Sequence, residues 1–400
     1  MPELSGIGMM LEHTCIAVGE PTLAQKVAFL GDPKAYPHPV SDVVLRETHM
    51  SWVFLAGDRV YKLKKPVHFA YLDFSTLERR ELACKTEVNL NRRLAPDVYI
   101  GAVPITQTGN RLSVGGSGVI IDWLVVMRRL AEHLTLEQAL RENRLEKCQL
   151  DRLAARLVRF YRRARPVFTA HGHVFDWANS LTNNRRTLLN PRFGLPLAHI
   201  RYIDRVQHRF VTECRPMLAA RVRDGRIIDG HGDLRPEHIW LDREIRIIDC
   251  LEFNARLREV DPFDEIAFLD LECARQGVAW AGRYLRTRIC YGLHDQIPPE
   301  LYHFYRSYRA MLRARLAIAH LAEPNPRTPE KWPRVANSYL DIAAGDAGSL
   351  ARLLRTPSAR QGFYRHGGAR LRRPAGAQWA GCGACRMQPS RPDERLERYR

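Results

Sequence analysis

The sequence lacks the features that mark membrane-spanning and secreted chains. No uninterrupted apolar stretch among the 400 residues reaches the roughly 18 residues that a transmembrane helix needs. Even the richest apolar run, Val119–Met127, contains Asp122. The opening stretch MPELSGIGMMLEHTC carries acidic residues and has no basic region followed by an apolar core, so no secretory signal is indicated. We therefore expect a cytoplasmic protein without a membrane partner.

Two glycine-rich phosphate-binding motifs are also missing. Neither GxxxxGK[ST] nor GxGxxG occurs, which argues against a P-loop and against a Rossmann nucleotide site. The nine cysteines are an odd number and most lie singly, which is typical of reduced thiols rather than of a disulfide framework. The one close pair, Cys382 and Cys385, has no second pair at zinc-ligand spacing, so a zinc site is not favoured.

Acidic residues are few relative to basic ones, and the excess is concentrated at one end. The chain has 62 Lys and Arg against 44 Asp and Glu, a formal net charge of +18. Residues 351–400 contain 12 Arg, no Lys and 3 acidic residues, which is +9. A segment rich in Gly, Pro and Arg is typical of a disordered extension, and we predict one at residues 356–400. Nucleic acid is therefore an unlikely partner except through that tail.

Strand-like and helix-like patterns occupy different parts of the chain. Residues 41–66, 99–106 and 118–127 predict strands, with a turn at Gly57 inside the first of these ranges. Ser75 and Glu78 have the spacing of a capping box, so a helix is predicted from there to about residue 94.

After residue 127 the apolar spacing becomes mainly helical. The pattern predicts helices within residues 135–214, 262–291, 300–321 and 338–354. The sequence therefore predicts an α+β fold, with a small β-rich lobe at residues 20–127 and a larger helical lobe at residues 131–350.

A polar stretch, HGDLRPEH at residues 231–238, interrupts the helical lobe and precedes two short apolar strand candidates. If the strands pair about Arg243, residue 249 lies opposite residue 237. The hairpin would then return Asp249 to the loop that carries Asp233 and His238. Two carboxylates that share one site are typical of acid/base or metal-dependent chemistry.

The spacing of these residues favours phosphoryl transfer from a nucleotide. That chemistry needs an Asp near the acceptor hydroxyl, a magnesium ligand five residues later, and a second Asp after a β-hairpin. Asp233, His238 and Asp249 occupy those places. Here the sequence resembles the aminoglycoside phosphotransferase family: HGDLRPEH is similar to its HGDLHxxN loop and IIDCLEF to its IDWE-type segment. The resemblance implies a two-lobed protein-kinase-like fold.

The resemblance also implies cofactors and roles. ATP, or another nucleoside triphosphate, and Mg²⁺ would be the cofactors, and a small-molecule hydroxyl would be the acceptor. Asp233 would be the catalytic base or hydroxyl-orienting group, Asp249 the principal magnesium ligand, and His231 a loop-stabilising residue. The family has Asn where this chain has His238, and an imidazole suits Mg²⁺ poorly. His238 therefore ligates a metal, contacts a phosphate or supports the loop.

The N-terminal half supplies candidates for nucleotide binding. Lys62 and Lys64 share one strand face because side chains alternate. Glu87 falls within the apolar arc of the predicted helix, where a carboxylate needs a cation. The resemblance favours Lys62 as the phosphate-contacting lysine, with Lys64 as the alternative. By position alone, Met127 begins the segment that would meet adenine. Taken singly, these charges are equally consistent with a solvated strand and a peripheral helix.

The segment DPFDEIAFL, which begins at residue 261, resembles the family's DPxxDLA-type segment. Asp261 followed by Pro262 predicts a helix start, so Asp261 is expected to be structural. Asp264 or Glu265 is expected to support the catalytic loop. The sequence thus predicts a small-molecule kinase. The alternatives are a nucleotide-binding pseudokinase or scaffold, and a basic nucleic-acid-associated protein. It identifies neither the acceptor nor the oligomeric state.

Overall fold

A computed structural model of the chain describes residues 20–69, 72–167, 170–322, 326 and 328–355. These residues belong to one compact unit. The predicted tail at residues 356–400, with Cys382 and Cys385, lies outside the described residues, as does Cys15. No described helix is long and apolar enough to cross a bilayer.

The N-terminal part consists of α1 (Leu23–Gly31), β1 (Val43–Glu47), β2 (Ser51–Ala56), β3 (Arg59–Lys64), β4 (His68–Phe69), β5 (Leu72–Asp73), α2 (Leu77–Asn91), β6 (Tyr99–Thr108), β7 (Arg111–Val114) and β8 (Val119–Arg128). Six of these strands form one antiparallel sheet with the order β1-β2-β3-β8-β6-β7. The two-residue turn between β2 and β3 contains Gly57 at φ +60°, as the sequence indicated. β7 was not predicted.

Alternation along β8 assigns its side chains to two cores. Leu124 and Val126 pack in the cluster that contains Leu30 of α1, whereas Val125 and Met127 pack in the cluster that contains Val88 of α2. Successive side chains of a strand point to opposite faces, so the almost continuously apolar β8 is covered on both sides. The sheet is thereby held between α1 and α2.

The predicted capping box of α2 is wrong by one residue. Thr76 is the N-cap, and its hydroxyl accepts a hydrogen bond from Arg79 N at 3.3 Å. The Ser75 hydroxyl instead donates to Asp73 at 2.6 Å, because the preceding turn competes for it. The helix also ends at Asn91 rather than near residue 94.

The remaining part of the chain is mainly helical. Its helices are α3 (Leu136–Arg141), α4 (Lys147–Arg163), α5 (Ala170–Leu188), α6 (Leu197–Glu213), α7 (Arg215–Arg223), α8 (Pro262–Arg275), α9 (Ala279–Leu293), α10 (Pro299–Ala319) and α11 (Lys331–Leu353). Four short strands are inserted: β9 (Ile228–Asp229), β10 (Ile239–Leu241), β11 (Ile245–Ile247) and β12 (Glu259–Val260). The helical stretch predicted at 262–291 is divided into α8 and α9 near Gly277, which has φ +83°.

Helix α8 lies at the centre of this lobe, since every residue from Pro262 to Cys273 is buried. The predicted α+β class is confirmed, with a β-rich N-terminal part followed by a mainly helical part. The lobe boundaries at residues 127 and 131 stay a prediction.

Candidate active site

The β10–β11 hairpin brings the two predicted carboxylates together. Leu241 pairs with Ile245 and Ile239 with Ile247, so the register is centred on residue 243 as the sequence predicted. One step further, Ile248 N donates to the carbonyl of His238 at 3.0 Å. As a result, His238 Nε2 and Asp249 Oδ2 lie 3.5 Å apart.

Asp249 is held as a carboxylate at the edge of the cleft. Lys62 Nζ lies 2.9 Å from its Oδ1. Burial opposes ionisation, but the ammonium of Lys62 outweighs it and keeps the pKa of Asp249 well below its usual range. Its side chain is still 44% exposed. An ionised carboxylate that is open to the cleft is the kind of oxygen ligand that Mg²⁺ prefers.

Asp233 has one engaged oxygen and one open oxygen. Arg235 Nε donates to its Oδ2 at 3.0 Å, and Oδ1 has no hydrogen-bond partner among the described residues. Burial raises the pKa of Asp233, but the charges of Arg235 and His238 outweigh burial and leave it below the usual value. Asp233 is therefore ionised at neutral pH and presents a free acceptor oxygen.

His231 joins the loop to the hairpin. It is fully buried, its Nε2 lies 2.9 Å from the carbonyl oxygen of Ile248, and its Nδ1 accepts a 3.3 Å hydrogen bond from Asp233 N. Burial, helped by His238, lowers the pKa of His231 to about 4. The ring is thus neutral at physiological pH, and these two contacts assign the proton to Nε2.

Glu265, rather than Asp264, contacts the catalytic loop. Its Oε1 accepts hydrogen bonds from the backbone N–H groups of His231 and Gly232, both at 2.6 Å. Tyr161 donates to its other oxygen at 2.9 Å. Gly232 has φ +87°, a left-handed conformation that turns both amides toward one acceptor. Burial raises the pKa of Glu265 despite these donors.

Asp261 and Asp264 are occupied by other partners. Asp261 caps α8 through Phe263 N at 2.9 Å, as predicted, and also forms a bidentate pair with Arg221 at 2.6 and 2.9 Å. Asp264 forms a bidentate pair with Arg309 at 2.8 and 2.6 Å. Both carboxylates are buried, and neither lines the cleft.

The two candidate lysines share Glu87 but occupy different positions. Lys62 Nζ lies 3.0 Å from Glu87 Oε1, and Lys64 Nζ lies 2.6 Å from Glu87 Oε2. Lys64 is fully buried and also pairs with Glu252, whereas Lys62 lines the cleft and reaches Asp249. Burial raises the pKa of Glu87, but the two lysines outweigh burial and the net pKa is lowered.

Sequence reasoning missed Glu252 and Arg235. Glu252 lies within IIDCLEF, the segment from which only Asp249 was selected. Arg235 stands where the HGDLHxxN pattern has its second His, and its Nη2 lies 3.1 Å from His238 Nε2. The two departures of this loop from the family pattern are therefore in contact with each other. Comparing the loop with the pattern at every position would have found Arg235.

A cleft of about 650 Å³ connects these side chains. Its lining includes Lys62, Met127, Asp233, His238 and Asp249. The volume falls within the usual range for small-molecule sites. Met127 ends the buried part of β8, so the predicted adenine-contacting position does border the cleft.

The residues present fit a magnesium ion that is bound mainly by phosphates and water. The described residues contain no group of three or more His, Cys, Asp or Glu that would enclose a metal. Mg²⁺ in kinase sites takes only one or two carboxylates and completes its shell with nucleotide oxygens, a requirement that the exposed Asp249 meets. His238 Nδ1 is engaged with the Asp233 carbonyl oxygen at 3.0 Å, a contact that supports the loop.

Sequence comparison finds relatives in two mycobacterial species. No protein-family model matches the chain. Uncharacterized proteins of Mycobacterium tuberculosis (strain CDC 1551 / Oshkosh) and Mycobacterium bovis are each 34% identical to it over 296 residues. The match covers 72% of this chain and 58% of each relative, so the chain spans less than two thirds of their length.

Several solved structures resemble the chain in fold. A choline kinase from Cryptosporidium parvum matches with a TM-score of 0.47 and 10% identity, covering 84% of this chain and 99% of the other. An ADP-bound aminoglycoside phosphotransferase matches with a TM-score of 0.44 and 15% identity, covering 77% of this chain and 95% of the other. A choline/ethanolamine kinase family protein from Mesorhizobium loti matches with a TM-score of 0.43 and 16% identity, covering 83% of this chain and 94% of the other.

The sheet order, the mainly helical remainder and the β10–β11 hairpin agree with the architecture that the sequence motifs predict.

Proposed function

We propose that the chain is an ATP- and Mg²⁺-dependent phosphotransferase that moves the γ-phosphate of the nucleotide to a hydroxyl of a small molecule. The observation that carries the proposal is the convergence of two ionised carboxylates, Asp233 and Asp249, on one cleft that also contains Lys62. Phosphoryl transfer relies mainly on positioning and on charge stabilisation, and these three side chains supply both.

Asp233 is the group that orients the acceptor. Its free Oδ1 accepts the hydrogen bond of the incoming hydroxyl, while Arg235 fixes Oδ2 at 3.0 Å. The same guanidinium lowers the basicity of the carboxylate. A weak base suits a loose transition state, because the hydroxyl proton is transferred late in that reaction.

Lys62 and Asp249 serve the nucleotide. Bound Mg²⁺ supplies charge neutralisation between the phosphates, and Asp249 is the carboxylate that would hold it. Lys62 is oriented by Glu87 at 3.0 Å and is the cation available to the phosphates. Lys64, fully buried between Glu87 and Glu252, positions Glu87 instead. His238 supports the loop through the Asp233 carbonyl.

The net charge of +18 gives no electrostatic support for a polycationic acceptor. The cleft itself is lined by both signs of charge, and Arg46, Arg141 and Arg235 are paired with acidic side chains. The charge of the lining therefore does not define the charge of the acceptor.

The test is phosphate transfer from labelled ATP to a panel of sugars, amino alcohols and nucleosides. Replacing Asp233 with Asn should reduce kcat by roughly 10²–10⁴-fold, the usual contribution of a positioned acid/base group, and leave the circular dichroism spectrum unchanged. Asp224→Asn, which follows α7 and does not line the cleft, is the matched control. Equal turnover in the Asp233 variant and wild type would reject the assignment.

The pseudokinase alternative has its own signature in the same assay. Magnesium-dependent ATP binding without transfer to any acceptor would favour a nucleotide-binding scaffold. His238, at the position where the family has Asn, is the observation that motivates this alternative.

A further inference from the structure

A cavity of about 380 Å³ shares no lining residue with the cleft. We call it the arginine cavity, because its wall is formed by Arg93, Arg156, Arg159, Arg163, Arg165 and Asp229, with Phe160 beside them. The guanidinium of Arg93 lies over the ring of Phe160 at 5.1 Å. The wall is built from the segment that follows α2, the second half of α4 with the two residues after it, and strand β9.

The arginines of α4 are not neutralised within the described part of the chain. Arg156, Arg159 and Arg163 follow one another at helical spacing, and like charges so placed destabilise a helix. Arg159, Arg163 and Arg165 make no ion pair or side-chain hydrogen bond with the described residues. Repulsion of this kind is relieved when an anion binds between the side chains.

Two further observations show that part of the positive charge of the wall has no partner among the described residues. Arg156 Nε is buried and has no hydrogen-bond partner among the described residues, although its Nη2 donates to the Leu94 carbonyl at 3.0 Å. Asp229 is already engaged, with Arg93 at 3.2 Å and with Arg258 at 2.8 Å. Burial and the charge of Arg159 lower the pKa of Arg156, which reflects the same mutual repulsion.

The chemistry of the wall selects phosphate. Guanidinium groups bind phosphate oxygens in bidentate geometry, and five of them exceed what one carboxylate or one monoanion neutralises. A cavity of about 380 Å³ accepts a small ligand rather than a nucleic-acid duplex.

Arg93 connects this cavity to the catalytic loop. Its Nη2 donates to the carbonyl of Gly230 at 2.8 Å and to Cys250 Sγ at 3.2 Å. Gly230 immediately precedes His231, and Cys250 immediately follows Asp249. Arg93 therefore contacts both the residue before the catalytic loop and the residue after Asp249. A ligand that binds Arg93 would act on both segments through this side chain.

We propose that the arginine cavity binds a small anion that carries two or more phosphate groups, and that Arg93 links its occupancy to the catalytic loop. The ligand is defined by its clustered phosphates, whether they belong to an inorganic oligophosphate or to a phosphorylated metabolite. Binding is measured without turnover, so the result does not depend on the proposed phosphotransferase activity.

The test is calorimetric titration of the full chain with tripolyphosphate, and with fructose 1,6-bisphosphate as the organic probe. The Arg159→Glu/Arg163→Glu variant should lose at least about tenfold in affinity, because two charge-assisted contacts are reversed. Arg201→Glu/Arg205→Glu is the matched control: both arginines are exposed, lie four residues apart on α6 and line neither cavity. Both variants keep residues 356–400, so the charge of that segment contributes equally.

Hydrogen exchange and a cleft variant complete the test. Binding should persist in Lys62→Ala and should protect amides in residues 156–165 and 229–233. Loss of binding in Lys62→Ala alone would place the anion in the cleft and overturn the proposal. An equal loss of tripolyphosphate affinity in both double variants would also overturn the proposal, because it would indicate non-specific attraction. The proposal would likewise be overturned if a single-stranded oligonucleotide bound through these arginines and tripolyphosphate did not displace it.

Discussion

Around the cleft, Lys62, Lys64, Asp233 and Asp249 each have an opposite charge within 3.0 Å. In the arginine cavity, Arg159, Arg163 and Arg165 have none among the described residues. The difference separates two uses of charge. Paired groups around the hairpin are already oriented for a reaction, which reduces the reorganisation that the transition state requires. Unpaired groups of one sign provide attraction for a ligand that is still to arrive.

The comparison extends to the carboxylates themselves. Asp233 and Asp249 keep accessible oxygens in the cleft, while Asp261 and Asp264 are saturated by arginines inside the helical lobe. Accessible carboxylates should therefore affect activity, and saturated carboxylates should affect stability. The following predictions test this division.

The largest effect is expected when Asp249 is compared with Asp261. Asp249→Asn should lower kcat on the order of 10³-fold, because several kcal/mol of charge stabilisation depend on the metal it would hold. Asp261→Asn should instead cost about 1–3 kcal/mol of unfolding free energy, since the buried Arg221 loses its bidentate partner and keeps only its contact with Asp295, while kcat per folded molecule is kept. Steady-state kinetics and urea denaturation measure the two quantities. Loss of activity without loss of stability in the Asp261 variant would contradict the assignment of a stabilising role to this carboxylate.

The two lysines provide the next contrast. Lys64→Met should destabilise the fold by about 3–5 kcal/mol, because Glu252 loses the one ion-pair partner that it has among the described residues and stays almost buried. Lys62→Met should mainly raise the KM for ATP and lower kcat, because Lys62 borders the cleft. Denaturation midpoints and ATP kinetics of the two variants show which lysine affects stability and which affects catalysis. The reverse assignment of effects would make Lys64 the phosphate-contacting lysine.

His231 predicts a pH dependence of stability. Its pKa is about 4 in the folded chain and near 6.5 when unfolded, so between these values only the unfolded chain binds the proton. Stability should fall as the pH decreases from about 6.5 to about 4, by about 3 kcal/mol from this residue, and no further below that. His231→Gln should remove this part of the pH dependence. Denaturation of both proteins at pH 7 and pH 4 gives the difference, and parallel curves would contradict the prediction.

The smallest effect is expected at His238. If this residue supports the loop, His238→Asn should change the Mn²⁺ and Mg²⁺ affinities of the ATP-bound chain by the same small factor, well under about tenfold. If the imidazole ligates metal, Mn²⁺ should be weakened selectively, because Mn²⁺ accepts nitrogen ligands more readily than Mg²⁺. Electron paramagnetic resonance of bound Mn²⁺, with competition by Mg²⁺, distinguishes the two results without an activity assay.

Local pattern was sufficient to predict the parts of the site that depend on one hairpin or one strand. The register about Arg243 follows from a short polar turn between apolar strands, and it determines where Asp249 lies. The common face of Lys62 and Lys64 follows from strand alternation. The position of Thr76 as N-cap was missed because Ser75, beside it, is equally suited to the role until Asp73 engages its hydroxyl.

Other parts of the site required tertiary information. Glu252 reaches Lys64 only after the two lobes meet, and nothing in local spacing indicates that contact. The helical stripe of arginines on α4 could have been counted from the sequence. Arg165 follows α4 directly, whereas Arg93 comes from the segment after α2 and joins the cavity only through tertiary packing.

The end of α2 determines how the cleft can open. Asn91 Oδ1 accepts from Cys250 N at 2.9 Å, and Arg93 holds the carbonyl of Gly230 at 2.8 Å, so the last turn of this helix is fastened to the helical lobe. Glu87 lies only about 6 Å further along the axis, at 1.5 Å rise per residue. A rotation of the sheet about this anchor would displace the distant β1–β2 edge most and Glu87 least. For the proposed nucleotide site, this geometry predicts an opening in which the β1–β2 edge moves outward while Glu87 stays near the anchor.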